Sequence, residues 1–324
     1  MKNIVFFGGG KLLVSLLMKL RDKKQYKLTI FASDRHLKEV IGGKITLKSF
    51  LKKNNFNYIA REKLNINEIK KEINEKFTLA ISIGAPWIFK NDIIDIFKKN
   101  FFNIHGSNLP EDKGGGGFTW QILQGNKLGY ANIHYLTNKI DEGKIVMQTT
   151  FKIDKLITPI EVNNVYIKHV INLFMKFIKK YNKKKIKGRD QNISRSTYWP
   201  RINTEIHGWI NWDWSGIEIS RFIKGFDDPY NGAHSIVNKK KVYLKKCVSF
   251  KKRNFHSFQA GIVFRKNKKN YWISTKGGYI IVKEILNSNQ KILKKSDIKI
   301  GDRFYTPSKF LEKAKTKRVY YHLR

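Results

Sequence analysis

The chain has 324 residues, 41% of them hydrophobic and 13% aromatic, enough apolar surface to fold and too much for the disordered class. Its 65 lysines and arginines against 25 acidic residues give a formal net charge of +40, yet no uninterrupted apolar run reaches the roughly 18 residues of a membrane-crossing helix. The single cysteine, Cys247, excludes an internal disulfide and a cysteine-built zinc site and suits a reducing, cytoplasmic setting.

A chain of this length suits two domains. Residues 1–190 alternate apolar with amphipathic runs, the rhythm of an α/β domain. Met1-Lys2-Asn3 leads straight into Ile4-Val5-Phe6-Phe7, too short a run for the core of a signal peptide. Residues 2–7 read as a strand, Gly8-Gly9-Gly10 turns it, and Leu12, Leu13, Leu16, Leu17 and Leu20 recur at helical spacing. This unit is similar to the opening of a dinucleotide fold, but its glycines do not make G-x-G-x-x-G and no acidic residue ends the second strand in a ribose-binding position. A nicotinamide dinucleotide is therefore not expected. Further strands fall at residues 28–32, 56–60 and 79–83, with an amphipathic helix at 66–73. Sheets of this kind place ligands beyond the carboxyl ends of their strands, where Gly84-Ala85-Pro86-Trp87 falls. Trp87, Ile88 and Phe89 offer flat apolar area there, either one side of a pocket for a planar ring or ordinary core.

Residues 101–104 read as a buried strand end, so Asn103 and His105, two apart, emerge on one face. Pro110 stops the strand, and Gly114-Gly115-Gly116-Gly117 permits φ > 0 before a short helix at 118–123. After an apolar segment at 130–136, in which His134 is expected to pack, Lys139-Ile140-Asp141-Glu142-Gly143 supplies a carboxylate. Carboxamide, imidazole and carboxylate are what acyl or formyl transfer to an amine requires: a donor for the developing oxyanion and an acceptor for the proton of the incoming nitrogen. Spacing alone leaves open the alternative of a hydrogen-bonded histidine at a strand end.

Residues 157–180 carry the pattern of a long amphipathic helix, and the polar stretch 181–200 reads as a linker. A helix at 216–225 follows, then alternation over 233–250, 261–264, 271–275 and 279–285, which suggests a small antiparallel barrel. The basic runs Lys183-Lys184-Lys185, Lys239-Lys240-Lys241 and Lys251-Lys252-Arg253 fall in expected loops. With lysine spread almost uniformly, they read as a solvated basic surface in preference to a nucleic-acid groove.

Asn103-x-His105, Leu109-Pro110, the glycine-rich turn and Ile140-Asp141-x-Gly143 together resemble the signature of the folate-dependent formyltransferases, the family holding methionyl-tRNA formyltransferase and the sugar N-formyltransferases. Ile210-Asn211-Trp212 and the run from Asp228-Pro229 to Gly232-Ala233 resemble the start of that family's C-terminal domain. The resemblance implies an α/β fold: a Rossmann-like, mostly parallel sheet with helices on both faces, plus a smaller C-terminal β-barrel-like (OB-like) domain. The expected division is a catalytic domain at 1–190, a linker at 191–206 and a β-rich domain at 207–324. It also implies 10-formyltetrahydrofolate as co-substrate and no metal.

Carried over residue by residue, Asn103 and His105 hydrogen-bond the carbonyl oxygen that becomes negative, while Asp141 orients the imidazole and receives the amine's proton. Gly84, Trp87 and Ile88, with Asp141, line the folate site. The tRNA enzymes usually read Ser-Leu-Leu-Pro after the histidine and then Arg-Gly; this chain reads Gly106-Ser107-Asn108-Leu109-Pro110 and then Asp112-Lys113-Gly114. The departure assigns Lys113, Gly114, Phe118 and Trp120 to the acceptor side, the two rings stacking on a base or sugar and Lys113 pairing with phosphate. It favours a nucleotide-linked amino sugar as partner. Methionyl-tRNA is the alternative that the charge supports, and a non-catalytic RNA-binding module on the same scaffold is a third reading. No membrane partner is expected, and a homodimer is left open.

Overall fold

Strands β1 (Lys2–Gly8), β2 (Tyr26–Ala32), β3 (Asn57–Ala60), β4 (Thr78–Ile83), β5 (Phe101–His105), β6 (Leu128–Tyr135) and β7 (Ile145–Lys152) form the larger sheet of the computed structural model, which describes residues 2–73, 78–154, 158–251 and 254–320. Their spatial order is β7-β6-β5-β4-β1-β2-β3. The five strands β1 to β5 are parallel, and β6 and β7 add an antiparallel margin beside β5. The apolar run of β1 follows from helices covering both faces of a parallel sheet. Ile4 and Phe6 face the core that holds Leu12, Leu13, Leu16, Leu17 and Phe174, while Val5 and Phe7 face the opposite core with Phe31, Trp87, Phe89 and Phe101.

Helix α1 (Gly10–Leu20) and the long helix α3 (Pro159–Asn182) share the first of these faces. A reciprocal cap starts α3, the Thr158 hydroxyl accepting from the Glu161 N–H at 3.4 Å and the Glu161 carboxylate from the Thr158 N–H at 2.9 Å. Ile157, where the sequence spacing begins this helix, lies outside the described residues, as do Lys252 and Arg253 of the third basic run. Between them in sequence, α2 (Gly117–Gln124) leaves the glycine-rich turn and meets the second sheet's helix, α4 (Gly216–Gly225). The Thr119 hydroxyl donates to the Gly225 carbonyl at 3.0 Å across that contact.

The second sheet is antiparallel and made of β8 (Ala233–Val237), β9 (Lys240–Phe250), β10 (Val263–Lys266), β11 (Tyr271–Thr275) and β12 (Gly278–Leu286), in the order β8-β9-β12-β11-β10. The alternating stretch at 233–250 is thus a hairpin, folded back at Asn238 and Lys239, whose φ values are 49° and 62°. Residues 301–305 hydrogen-bond to both margins of this sheet: Gly301 N–H to Val263 O at 2.8 Å and Tyr305 N–H to Ile236 O at 2.9 Å. Ile219 and Ile223 of α4 pack into a core with Leu244, Ile273, Ile280 and Val282. The sequence patterns do not anticipate a further helix, Ser308–Thr316, which stacks Phe310 on Trp209 at 4.3 Å. No helix among the described residues is long and apolar enough to cross a membrane.

Phe102 shows how much the first core depends on its rings, lying 4.7 Å from Tyr135 and 4.9 Å from Phe177 between centroids. Phe102→Ala is expected to lower the unfolding free energy by about 3–5 kcal/mol, read as a lower urea midpoint with an unchanged slope.

Candidate active site

The pairing of β5 with β6 sets Asn103 directly opposite His134. The Asn103 Nδ2 group lies 3.1 Å from His134 Nε2 and donates to Asp141 Oδ1 at 3.2 Å. His134 itself is 2% exposed, and its Nδ1 donates to the Tyr135 carbonyl at 2.8 Å, which turns Nε2 toward Asn103 and toward Asp141 Oδ1, 3.5 Å away. Two residues along β5, the His105 ring places Nδ1 3.6 Å from Asp141 Oδ1 and Nε2 2.6 Å from the Ser107 hydroxyl. The Ser107 hydroxyl in turn donates to the Asp112 carbonyl.

Asp141 sits in a left-handed turn with φ 55°, and its second oxygen accepts from the Gly114 N–H at 3.0 Å. The loop can fold this tightly against β6 because position 143 is glycine: a Cβ there falls 1.8 Å from the Tyr135 carbonyl oxygen. Gly114, at φ 98°, likewise adopts a backbone that favours glycine, and through it presents its N–H to the carboxylate. Burial pushes the Asp141 carboxyl up, but the His105 charge, the hydrogen bond and charge of His134 and the Gly114 N–H outweigh it and hold the group well below the usual carboxylate range.

These groups open onto a cavity of about 690 Å³ at the carboxyl ends of β1, β4 and β5. Gly84, Trp87 and Ile88 line it together with Asn103, His105, His134 and Asp141, and so do Gly114 and Phe118. Trp87 is largely buried, its indole N–H donating to the Glu62 carbonyl at 2.9 Å, whereas Ile88 is 50% exposed. Phe118 packs against Tyr166.

Lys113 and Trp120 do not line the cavity, in contrast to the acceptor-side roles the sequence gives them. The cause is the segment after α3, whose Tyr198–Trp199 pairs in parallel with Lys113–Gly114 and covers the glycine-rich turn. Lys113 Nζ is drawn to Glu142 at 2.8 Å, and Trp120 donates to the Pro200 carbonyl at 2.9 Å and lies 5.3 Å from the Trp199 ring. In their place the covering segment contributes Tyr198 and Arg201 to the cavity, and the second sheet's loop contributes Tyr230. Arg201 crosses so close to the turn that a Cβ on Gly115 falls 2.2 Å from its Cγ. His134, read from the sequence as a packing residue, both packs and touches Asn103 and Asp141. Its period-two position on a strand was visible, but its partner was not.

Two family models match the chain, Formyl transferase over residues 1–176 and Formyl transferase, C-terminal domain over residues 203–303. Over 300 residues, 90% of this chain and 94% of the relative, it is 24% identical to methionyl-tRNA formyltransferase of Clostridium tetani (strain Massachusetts / E88). Its fold is similar to that of the N-formyltransferase from Helicobacter canadensis in complex with folinic acid and dTDP-3-aminofucose. The TM-score is 0.67 at 21% identity, covering 87% of this chain and 99% of that one. It is also similar to WlaRD, a sugar 3N-formyl transferase solved with dTDP and 5-N-formyl-THF, at a TM-score of 0.64 and 23% identity, covering 87% and 97%.

A carboxyl with a folded pKa below its unfolded one adds stability above about pH 4, and that addition is lost as the pH falls through the folded value. The stability of the parent relative to Asp141→Asn, from urea unfolding at stepped pH, is expected to shrink on acidification below about pH 4.

Proposed function

The chain belongs to the formyltransferase family, and from that premise we propose that it moves a formyl group from 10-formyltetrahydrofolate to the primary amine of a nucleotide-linked amino sugar. It is a folate-dependent one-carbon transferase; the acceptor is the proposed part. The observation that carries the reading is the convergence of the Asn103 amide, the His105 ring and the Asp141 carboxylate on one wall of one cavity. In this reading residues 1–190 carry the chemistry, 191–206 connect the two domains and give Tyr198 and Arg201 to the acceptor side, and 207–324 add Tyr230 to it.

The residues present fit a folate. Gly84, Trp87 and Ile88 offer a flat apolar wall with main-chain groups at a strand end, next to the polar centre. Asn103 and His105 are the donors for the formyl oxygen as it takes up charge, a type of contact that contributes about 3 kcal/mol to the barrier reduction. A carboxyl held as low as that of Asp141 is a poor final resting place for a proton. Its part is to hold negative charge beside the imidazole and to pass the amine's proton onward, directly or through water. Holding both substrates in one cavity supplies much of the remaining acceleration.

For the acceptor, the cavity lining offers the rings of Tyr198 and Tyr230 and the positive charge of Lys11 and Arg201. A cavity of 690 Å³ lies within the roughly 300–1,000 Å³ of small-molecule sites. The solved neighbour from Helicobacter canadensis carries a dTDP-linked amino sugar, which supports the same choice. Methionyl-tRNA is the second reading, favoured by the +40 charge and by the relative from Clostridium tetani.

A panel of nucleotide-linked 3-amino and 4-amino sugars beside methionyl-tRNA, with labelled 10-formyltetrahydrofolate, is expected to give label on a sugar; formyl-methionine alone would turn the choice to tRNA. Asn103→Ala and Asp141→Asn, verified as folded by circular dichroism, are each expected to lower kcat by about 10²–10³-fold. Rates equal to the parent's would remove these residues from the chemistry.

A further inference from the structure

The segment that leaves α3 is bound to the Asp141 loop along its length. Arg189 exchanges both backbone hydrogen bonds with Ile145 at 2.8 Å, fixing its register at the first residue of β7. Two residues on, Gln191 Nε2 donates to the Asp141 carbonyl at 2.8 Å and to the Gly143 carbonyl at 2.7 Å. The buried Gln191 Oε1 has no hydrogen-bond partner among the described residues, so the amide is oriented by its two donated bonds. These bonds bracket Asp141, a non-glycine residue held at φ 55°, a backbone conformation that surrounding contacts must hold in place. The same segment also holds the other side of the carboxylate. The Thr197 and Trp199 carbonyls accept from the Lys113 and Gly115 N–H groups, each at 3.0 Å, and between them Gly114 donates to Asp141 Oδ2.

We infer that Gln191 is a positioning residue for the transfer reaction, acting through Asp141 by clamping the two carbonyls of its left-handed turn so that the carboxylate meets the Gly114 N–H and the His105 ring. The inference rests on the formyl-transfer reading for its kinetic consequence, and on geometry alone for its effect on Asp141. Gln191 does not line the cavity, so it works at one remove from the reacting atoms.

Two variants separate the hydrogen bonds from packing: Gln191→Ala removes the side chain, and Gln191→Met keeps its length without the donors. Both are expected to lower kcat by roughly 10- to 100-fold, with the KM for 10-formyltetrahydrofolate close to the parent's. In the Asp141→Asn background Gln191→Ala is expected to cost little more, since the group it positions is already gone. Without any substrate, ¹³C NMR of the Asp141 carboxyl, facing His105 and His134, is expected to show its titration moving up toward the ordinary range in both variants.

A Gln191→Met protein with the parent's kcat and carboxyl titration would overturn the inference, as would an equal fold-loss from Gln191→Ala in the presence and absence of the Asp141 carboxylate. A parent that formylates no acceptor would sink the functional reading instead, and the carboxyl titration would still decide whether Gln191 sets Asp141. Should Gln191→Ala fail to fold, the kcat and carboxyl titration of Gln191→Met alone decide between the two outcomes.

Discussion

A carboxylate taken out of water stays ionised only while directed N–H groups or positive charge face it, and Asp141, 11% exposed, depends on both. One oxygen meets the Gly114 N–H; the other meets the Asn103 amide within reach of two imidazoles. Each partner comes from a different part of the chain, so several structural features serve one group. The antiparallel pairing of β5 and β6 brings His134 opposite Asn103, the absence of a Cβ at 143 lets the loop close on β6, and Tyr198–Trp199 pins the glycine turn. Satisfying a buried charge this fully is costly to assemble and, once assembled, rigid.

The second sheet is part of the same construction. Asp227, 1% exposed, accepts from the Lys246 N–H at 2.7 Å and the Asp228 N–H at 2.8 Å, and so shapes the turn that follows α4. The Asp228 carbonyl then accepts from the Ile160 N–H at 3.0 Å at the start of α3, which brings Pro229 and Tyr230 onto the cavity wall. The chemistry sits on the first sheet, but the cavity is bounded by both. A shift of α4 against α2, where Gly225 admits Leu123 at a separation too short for any Cβ, would therefore be felt where Pro229 and Tyr230 line the cavity.

What the sequence discloses follows from the range over which each signal acts. Asn103 and His105 are legible as a pair because a strand repeats every two residues, and the α/β rhythm of residues 1–190 rests on equally local patterns. His134 is not legible, because its role depends on the strand it pairs with and in what register, and no local periodicity carries that. Lys113 and Trp120 illustrate the converse. Their chemistry suits an acceptor, but a polar stretch whose composition resembles a solvated linker lies over them, so that its Tyr198 and Arg201 line the cavity and Lys113 and Trp120 do not. The hairpin at 233–250 keeps its alternation through both strands, yet its turn is Asn238-Lys239 without glycine, so the reversal leaves only a weak mark.

The bonding of residues 301–305 to both outer strands of the second sheet also bears on how this chain behaves in a crowd. An open strand margin is an unpaired row of amides and carbonyls, the surface on which one molecule recruits the next into a growing ribbon. Here β8 and β10 each spend part of that row on the chain's own closing segment. A partner approaching these strands therefore meets part of the row already taken, and like molecules, each with a net charge of +40, repel one another.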